Sequence, residues 1–437
     1  MAPEPAFREL EEDLEDRFFI SGVEKAGRLR NTYEHQLRKR RIVVGVVVAV
    51  AVAGLIALIV GLAYGLSHRK LRYACPRGYE AERGELVFFV VGDWGRQGSD
   101  TQMKTARLMA DVSGCMPPKF VISTGDNFYP SGLTSVTDDQ FAASFTRVYT
   151  APGLQVPWYA VMGNHDYGDN VDRSLLASGQ CLAAPTAPEQ CAGKCCFSPW
   201  WQVQSQLTAR DPRWSASLGE VVTRSFPLGG AAGANSSVDI VFMDTNPYIT
   251  EYGTREWANF LYGMNYQAAN TDALTASLHQ QLNASCGRGS RWRLVVGHHP
   301  VRSYGNHCTQ GDINDCADMF WLRPLLQRYR VAAYINGHDH DQQLIKAPDD
   351  PVHYIVSGAG SDVREGEFSD ESAVRSRDAP FLSDNQGFVA IALSEGSMTV
   401  HYYTVEQSEP AYTRVIPLPA AAPGTCGAAS SAAAGGR

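Results

Sequence analysis

The sequence predicts an α/β fold carried behind one N-terminal transmembrane helix. Two observations predict the fold: strand-like apolar runs alternate with helical segments from Leu86 onward, and five of those runs end in a Gly beside Asp, Asn or His. A third predicts the helix, because residues 42–66 hold no charge and are rich in Val, Ala, Leu and Ile. Strand–helix–strand order is that of a parallel sheet, and ligand sites in such sheets collect beyond the carboxyl ends of the strands.

The 437 residues leave room for two or three domains or for one large domain with appendages. A chain that is 44% hydrophobic and 19% charged has ample apolar side chain for a full core. The net charge of -8 and the pI near 5.8 offer no basic field, which excludes a nucleic-acid backbone as the main partner.

Residues 1–41 read as a polar tail, acidic from Glu9 to Asp16 and basic at Arg38-Lys39-Arg40-Arg41. Residues 42–66 are long enough to cross the hydrocarbon core and sit too far into the chain for a cleaved signal peptide, so they are expected to persist as a signal anchor in membrane lipid. Gly61-x-x-x-Gly65 has the spacing for close helix pairing, the expected route to any homodimer. All ten cysteines, from Cys75 to Cys426, follow the span, as do the sequons at Asn235 and Asn283. That asymmetry suits an oxidising compartment beyond the membrane. The expectation is a single-pass type II glycoprotein: tail in the cytosol, catalytic bulk lumenal or extracellular, at the cell surface or in the endolysosomal system.

Residues 67–84 form a juxtamembrane linker, and the regular pattern begins at 85. Leu86–Val91, Phe120–Ile122 and Trp158–Met162 read as strands, with helices at Thr101–Ser113 and Phe141–Tyr149 between them. Cys181, Cys191, Cys195 and Cys196 mark Ser178–Trp201 as a disulfide-stapled excursion. Strands resume at Val238–Met243, Leu294–Val296, Val331–Ile335, Val352–Ser357, Phe388–Leu393 and Met398–Thr404, with helices at Asp272–Ala284 and Met319–Tyr329. Residues 419–437 dissolve into Ala, Gly and Ser and read as a disordered tail with no lipid-anchor signal.

Taken singly, an Asp or His beside Gly at a strand end is an ordinary turn residue. Five together, supplying carboxylate, amide and imidazole donors, point to a transition-metal centre. The ordered set Gly92-Asp93-Trp94-Gly95, Gly125-Asp126-Asn127-Phe128-Tyr129, Gly163-Asn164-His165-Asp166, Val296-Gly297-His298-His299-Pro300 and Gly337-His338-Asp339-His340 resembles the calcineurin-like metallophosphoesterases. Within them it is similar to the purple acid phosphatases of the small tartrate-resistant type, over about Leu86 to Leu418.

The resemblance implies a four-layer α/β/β/α sandwich over residues 85–418 and a binuclear centre that hydrolyses phosphate monoesters with a metal-bound hydroxide. Asp93, Tyr129 and His340 would hold Fe(III); Asn164, His298 and His338 would hold a divalent Fe, Zn or Mn; Asp126 would bridge them. His165 matches the family's substrate-binding histidine and proton donor. His299 stands where the small enzymes usually carry Tyr, and either contacts phosphate or lines the pocket. Asp166 is expected to orient a turn. The alternatives are a phosphodiesterase or phosphoprotein phosphatase on the same fold, or a non-catalytic surface receptor.

Overall fold

The computed structural model describes residues 27, 30, 31, 33–56, 85–183, 191, 194–229, 236–255, 268–309, 315–366, 368 and 377–419. The chain divides into two units after Leu71. In the first, residues 33–56 are helical, and Ile42, Val43, Val47, Val50 and Ile56 are all more than half exposed. Among the described residues no helix is long and apolar enough to cross a membrane. Of the stretch expected to span, residues 42–56 are helical; residues 57–66, most of the tail before them, the linker to 84 and the C-terminal tail from 420 lie outside the described residues.

The second unit carries the strands β1 (Leu86–Val91), β2 (Val121–Ser123), β3 (Trp158–Ala160), β4 (Cys181–Ala183), β5 (Cys195–Phe197), β6 (Trp214–Ala216), β7 (Val221–Pro227), β8 (Ser237–Met243), β9 (Trp292–Val296), β10 (Ala333–Asn336), β11 (Gln342–Ile345), β12 (His353–Ser357), β13 (Phe381–Ser383), β14 (Gly387–Leu393), β15 (Ser397–Thr404) and β16 (Tyr412–Pro417). Its helices include α1 (Asp100–Ser113), α2 (Asn164–Tyr167), α3 (Ala268–Gly287), α4 (Asp315–Met319) and α5 (Leu322–Arg328).

Two seven-stranded sheets result, ordered β16-β15-β14-β1-β2-β3-β6 and β13-β11-β12-β10-β9-β8-β7. Both are mixed, which corrects the expectation of a parallel sheet. The β1-β2-β3-β6 half is parallel, as the helical crossovers require. The β14-β15 connection is too short for a crossover, so β15 returns antiparallel, pairing Leu393 with Met398.

Alternation along β1 shows how the layers form. Phe88 and Val90 enter a cluster with Ile240, Phe242, Leu294, Val296 and Ile335 of the second sheet, so the sheets pack face to face. Val87, Phe89 and Val91 point the other way, onto Ala106, Met109 and Val112 of α1. On the far side, Leu274, Leu278 and Leu282 of α3 and Leu322, Leu325 and Leu326 of α5 cover Val241 and Val295. The order is helix, sheet, sheet, helix. Each such side chain contributes about 1.5–3 kcal/mol when fully buried.

The cysteine-rich excursion forms the expected staple, with disulfides Cys181–Cys195 and Cys191–Cys196 and a short β4-β5 ladder. Cys308 is bonded to Cys316, and among the described residues no cysteine is free.

Asp350 ties α5 to the second sheet: its buried carboxylate accepts from Arg323 Nε at 2.8 Å, Tyr354 Oη at 2.8 Å, the Val352 amide at 3.1 Å and Gln327 Nε2 at 3.2 Å. Burial works against its anion, but these donors outweigh it and hold the carboxyl below the usual range. A depressed native pKa contributes stability that is complete above the unfolded value of about 3.9 and is lost as pH falls through the native one. Asp350→Asn should therefore be less stable than wild type by about 1–3 kcal/mol at pH 6, with the gap closing below about pH 3.9. Urea titrations across that range check it; a gap independent of pH would refute the linkage.

Candidate metal centre

The five Gly-bearing signatures meet at the carboxyl ends of β1, β2, β3, β9 and β10. Asp93, Asp126 and His338 adopt left-handed backbones, with φ of 60°, 49° and 71°. Residues other than Gly rarely adopt that region, Asn, Asp and His entering it more readily than most, and each instance costs on the order of 1–3 kcal/mol. The surroundings enforce it. Trp94 Nε1 donates to Ser123 Oγ at 2.8 Å, Ser123 donates to Asn127 Oδ1, and Asn127 Nδ2 donates to Asp166 Oδ2 at 2.9 Å. Asp166 also accepts from the Gly163 amide at 2.9 Å and from Gln202 Nε2 at 2.8 Å. This buried chain couples the first three signatures to the end of the disulfide excursion, and it assigns Asp166 the turn-orienting place expected of it. Burial and the charge of Asp126 push the Asp166 carboxyl up to about 7.

Donor atoms converge in two adjoining groups. In one, Tyr129 Oη lies 3.2 Å from Asp93 Oδ1, 2.9 Å from Asp126 Oδ2 and 3.0 Å from His340 Nε2. In the other, His298 Nε2 lies 3.1 Å from Asn164 Oδ1, 3.1 Å from His338 Nδ1 and 3.6 Å from Asp126 Oδ1. Asp126 faces one group with each carboxylate oxygen. Ligands each about 2.0–2.2 Å from one ion stand roughly 3 Å apart, so the spacing fits.

Hydrogen bonds on the outer side aim the donors inward. His298 Nδ1 donates to the Thr124 carbonyl at 2.8 Å, leaving Nε2 as a bare lone pair. Asn164 Nδ2 donates to Asp169 Oδ2 at 2.8 Å, turning its carbonyl oxygen toward His298. Two acceptors facing each other with no proton between them make a cation site. The residues present therefore fit a pair of metal ions held by Asp93, Asp126, Tyr129, Asn164, His298, His338 and His340.

Electrostatics agree. Burial, and next the charge of Asp126, raise Asp93 well above the carboxylate range, so its anion needs a cation. Burial and the same two carboxylates raise Tyr129, keeping the phenol protonated without one. Burial pushes His298 down and His338 and His340 far down, so all three remain neutral donors.

Other residues fall at the rim. His165 directs Nε2 to within 3.8 Å of Asp126 Oδ2, and its ring lies tilted against that of Tyr129 with centroids 4.2 Å apart. Arg96 places its guanidinium 3.9 Å above the Tyr129 ring. His299 is fully buried; Nδ1 lies 2.7 Å from Thr245 Oγ1 and Nε2 2.7 Å from Tyr252 Oη. Both ring nitrogens thus lie within hydrogen-bond distance of protein hydroxyls. Sequence reasoning missed His307, which hydrogen-bonds Asp339 Oδ1 at 2.7 Å, and Asp315, which lies 2.8 Å from His338 Nε2. The signal that could have found them is the Cys308–Cys316 bracket just downstream of His298. Burial opposes the charged form of His307, but its bond to Asp339 and that residue's charge lift it above the ordinary histidine range.

Gly125 shows what the crowding demands. Its φ is 100°, and a Cβ there would stand 2.6 Å from His298 Nδ1. Gly289 has φ 72° but open space around it. Both Gly→Ala variants should lose roughly 1 kcal/mol or more through backbone strain. Only Gly125→Ala should also lose bound metal, because only it displaces a ligand. Metal analysis of the two purified variants tests this, and equal metal content in both would contradict the steric argument.

The calcineurin-like phosphoesterase family profile matches residues 86–342. Purple acid phosphatase 3 of Arabidopsis thaliana is 34% identical over 328 residues, covering 74% of this chain and 75% of that protein. Human tartrate-resistant acid phosphatase type 5 is 28% identical, covering 72% of this chain and 86% of its own. Among solved structures, the anchor protein of the Plasmodium inner membrane complex shares the fold with a TM-score of 0.55 and 20% identity, covering 76% of this chain and 89% of that one. The chain belongs to the calcineurin-like phosphoesterases and, within them, to the purple acid phosphatases: it is a metal-dependent acid phosphatase.

Proposed function

We propose that the chain hydrolyses phosphate monoesters at a binuclear centre of Fe(III) and a divalent Fe, Zn or Mn, in a lumenal or extracellular domain tethered by residues 42–66. The observation that carries the reading is Asp126, whose two oxygens face separate donor groups, one with a phenol and a second carboxylate, the other with imidazoles and an amide. Hard anionic oxygens suit a trivalent ion and imidazoles a divalent one. Asp93, Tyr129 and His340 would hold the first, Asn164, His298 and His338 the second, and Asp126 both. Such a pair, when bound, supplies Lewis-acid polarisation of the phosphoryl oxygens and a nucleophile from water at low pH.

The protein's own contribution is orientation and one proton. The His165 Nδ1–H donates to the Pro130 carbonyl at 2.5 Å, which fixes the ring and leaves Nε2 on the site side. A proton held at Nε2 is placed for delivery to the departing alkoxide. Two features support the tether and its orientation: the exposed apolar helix through Ile56, and a disulfide-bonded domain. Asn283 is exposed on α3, where a glycan would stand clear of the fold.

Three measurements test this on the detergent-solubilised full chain. A visible band from the ferric phenolate should accompany two metals per chain and vanish in Tyr129→Phe; a colourless, metal-free protein would remove the proposal. His165→Ala should lower kcat about 10²- to 10⁴-fold while both metals stay bound. An aryl monophosphate should turn over faster than the matching diester, and the reverse order would favour the phosphodiesterase reading.

A further inference from the structure

The two residues that immediately precede the half-cystines of the Cys308–Cys316 bridge grip consecutive residues of the fifth signature. His307 hydrogen-bonds Asp339, and Asp315 Oδ2 lies 2.8 Å from His338 Nε2. Asp315 is buried, 4% exposed, so this contact is made away from bulk water. When ionised, the Asp315 carboxylate can only accept, and the proton of the His338 ring then belongs on Nε2 and Nδ1 is left bare. That bare nitrogen is the one 3.1 Å from His298 Nε2, which its own bond to Thr124 also leaves bare.

We propose that Asp315 is a positioning residue for the divalent-metal half of the centre, fixing the tautomer and direction of His338, and that the Cys308–Cys316 bridge holds it there. The inference rests on the binuclear reading above. Without the bridge, bringing His307 and Asp315 to one signature would carry the full loop-closure cost; the disulfide removes much of that cost by constraining the unfolded ensemble. Opening the bridge would then weaken a metal ligand without touching any metal-binding atom.

The test is a zinc titration, followed by calorimetry, of chain stripped of its divalent ion but keeping iron. Asp315→Ala should bind Zn²⁺ about 10- to 100-fold more weakly, the range seen when a carboxylate behind a metal-ligating histidine is removed. Its visible ferric band should be unchanged, because Tyr129, Asp93 and His340 are untouched. Asp315→Asn, whose side-chain oxygen still accepts from Nε2–H, should recover most of the affinity. The paired Cys308→Ser/Cys316→Ser variant should show a smaller loss in the same direction, and it reports even if Asp315→Ala does not fold. Wild-type affinity in Asp315→Ala overturns the proposal, and wild-type affinity in the paired variant overturns the part assigned to the bridge. A wild-type chain that takes up only one metal would instead overturn the binuclear reading, so the two failures are distinguishable.

Discussion

Buried negative charge is the constraint from which the rest of the structure follows. Asp93 and Asp126 are fully sequestered, and imidazoles stand close to both: His340 at 3.6 Å from Asp93, His298 at 3.6 Å and His165 at 3.8 Å from Asp126. Burying an ion costs several kcal/mol even after relaxation, and a neutral imidazole offsets little of it. Three left-handed backbones add their own strain at the same place. A site this unfavourable persists because the face-to-face sheets, with β1 and β10 at their centres, hold it in position. Metal binding reverses the balance, since a ligand bound only by the native state stabilises that state.

The metal-facing residues are held by a polar hydrogen-bonded network beneath them. Trp94, next to Asp93, is the clearest case: it is fully buried against Phe128, Phe145, Tyr149, Trp158 and Trp214, while its indole N–H starts the chain through Ser123 and Asn127 to Asp166. Aromatic edges fix the ring, and the ring fixes the loop. The same logic explains the glycines, for a Cβ on Gly337 or Gly163 would run into the carboxylates of Asp93 or Asp126. Small residues here are a consequence of loops converging on one point.

Most of the centre was legible because each donor is local to its strand end. A run such as Leu86–Val91 followed by Gly92-Asp93 announces both the strand and the turn that presents the ligand, and the family set supplied Tyr129. The helix–sheet–sheet–helix order followed from the same resemblance. What was not legible depends on contacts distant in sequence. Gln202 reaches Asp166, Tyr252 and Thr245 occupy His299, and Asp315 reaches His338 across 23 residues. No periodicity encodes such pairings. Short strands such as β6 and β11 carry too few residues to announce themselves, and the mixed topology emerged only from antiparallel pairs such as β14-β15 in the first sheet and β7-β8 and β11-β12 in the second. The apolar run at 42–66 was legible as composition, and residues 42–56 of it are helical.

Acid function poses a problem that the histidines solve by location. An ordinary imidazole titrates near pH 6.5 and would lose its metal-binding lone pair in acid. Burial, reinforced for His338 and His340 by nearby positive groups, depresses the pKa values of His298, His338 and His340, so their lone pairs stay available as the medium acidifies. His307, a few residues from His298, is driven the other way by Asp339 and keeps its proton. One family of side chain is thereby sorted into proton-free donors inside and a proton-holding group at the rim. Burial sets the three inner donors and the Asp339 carboxylate sets His307, with no change in the residues' intrinsic chemistry.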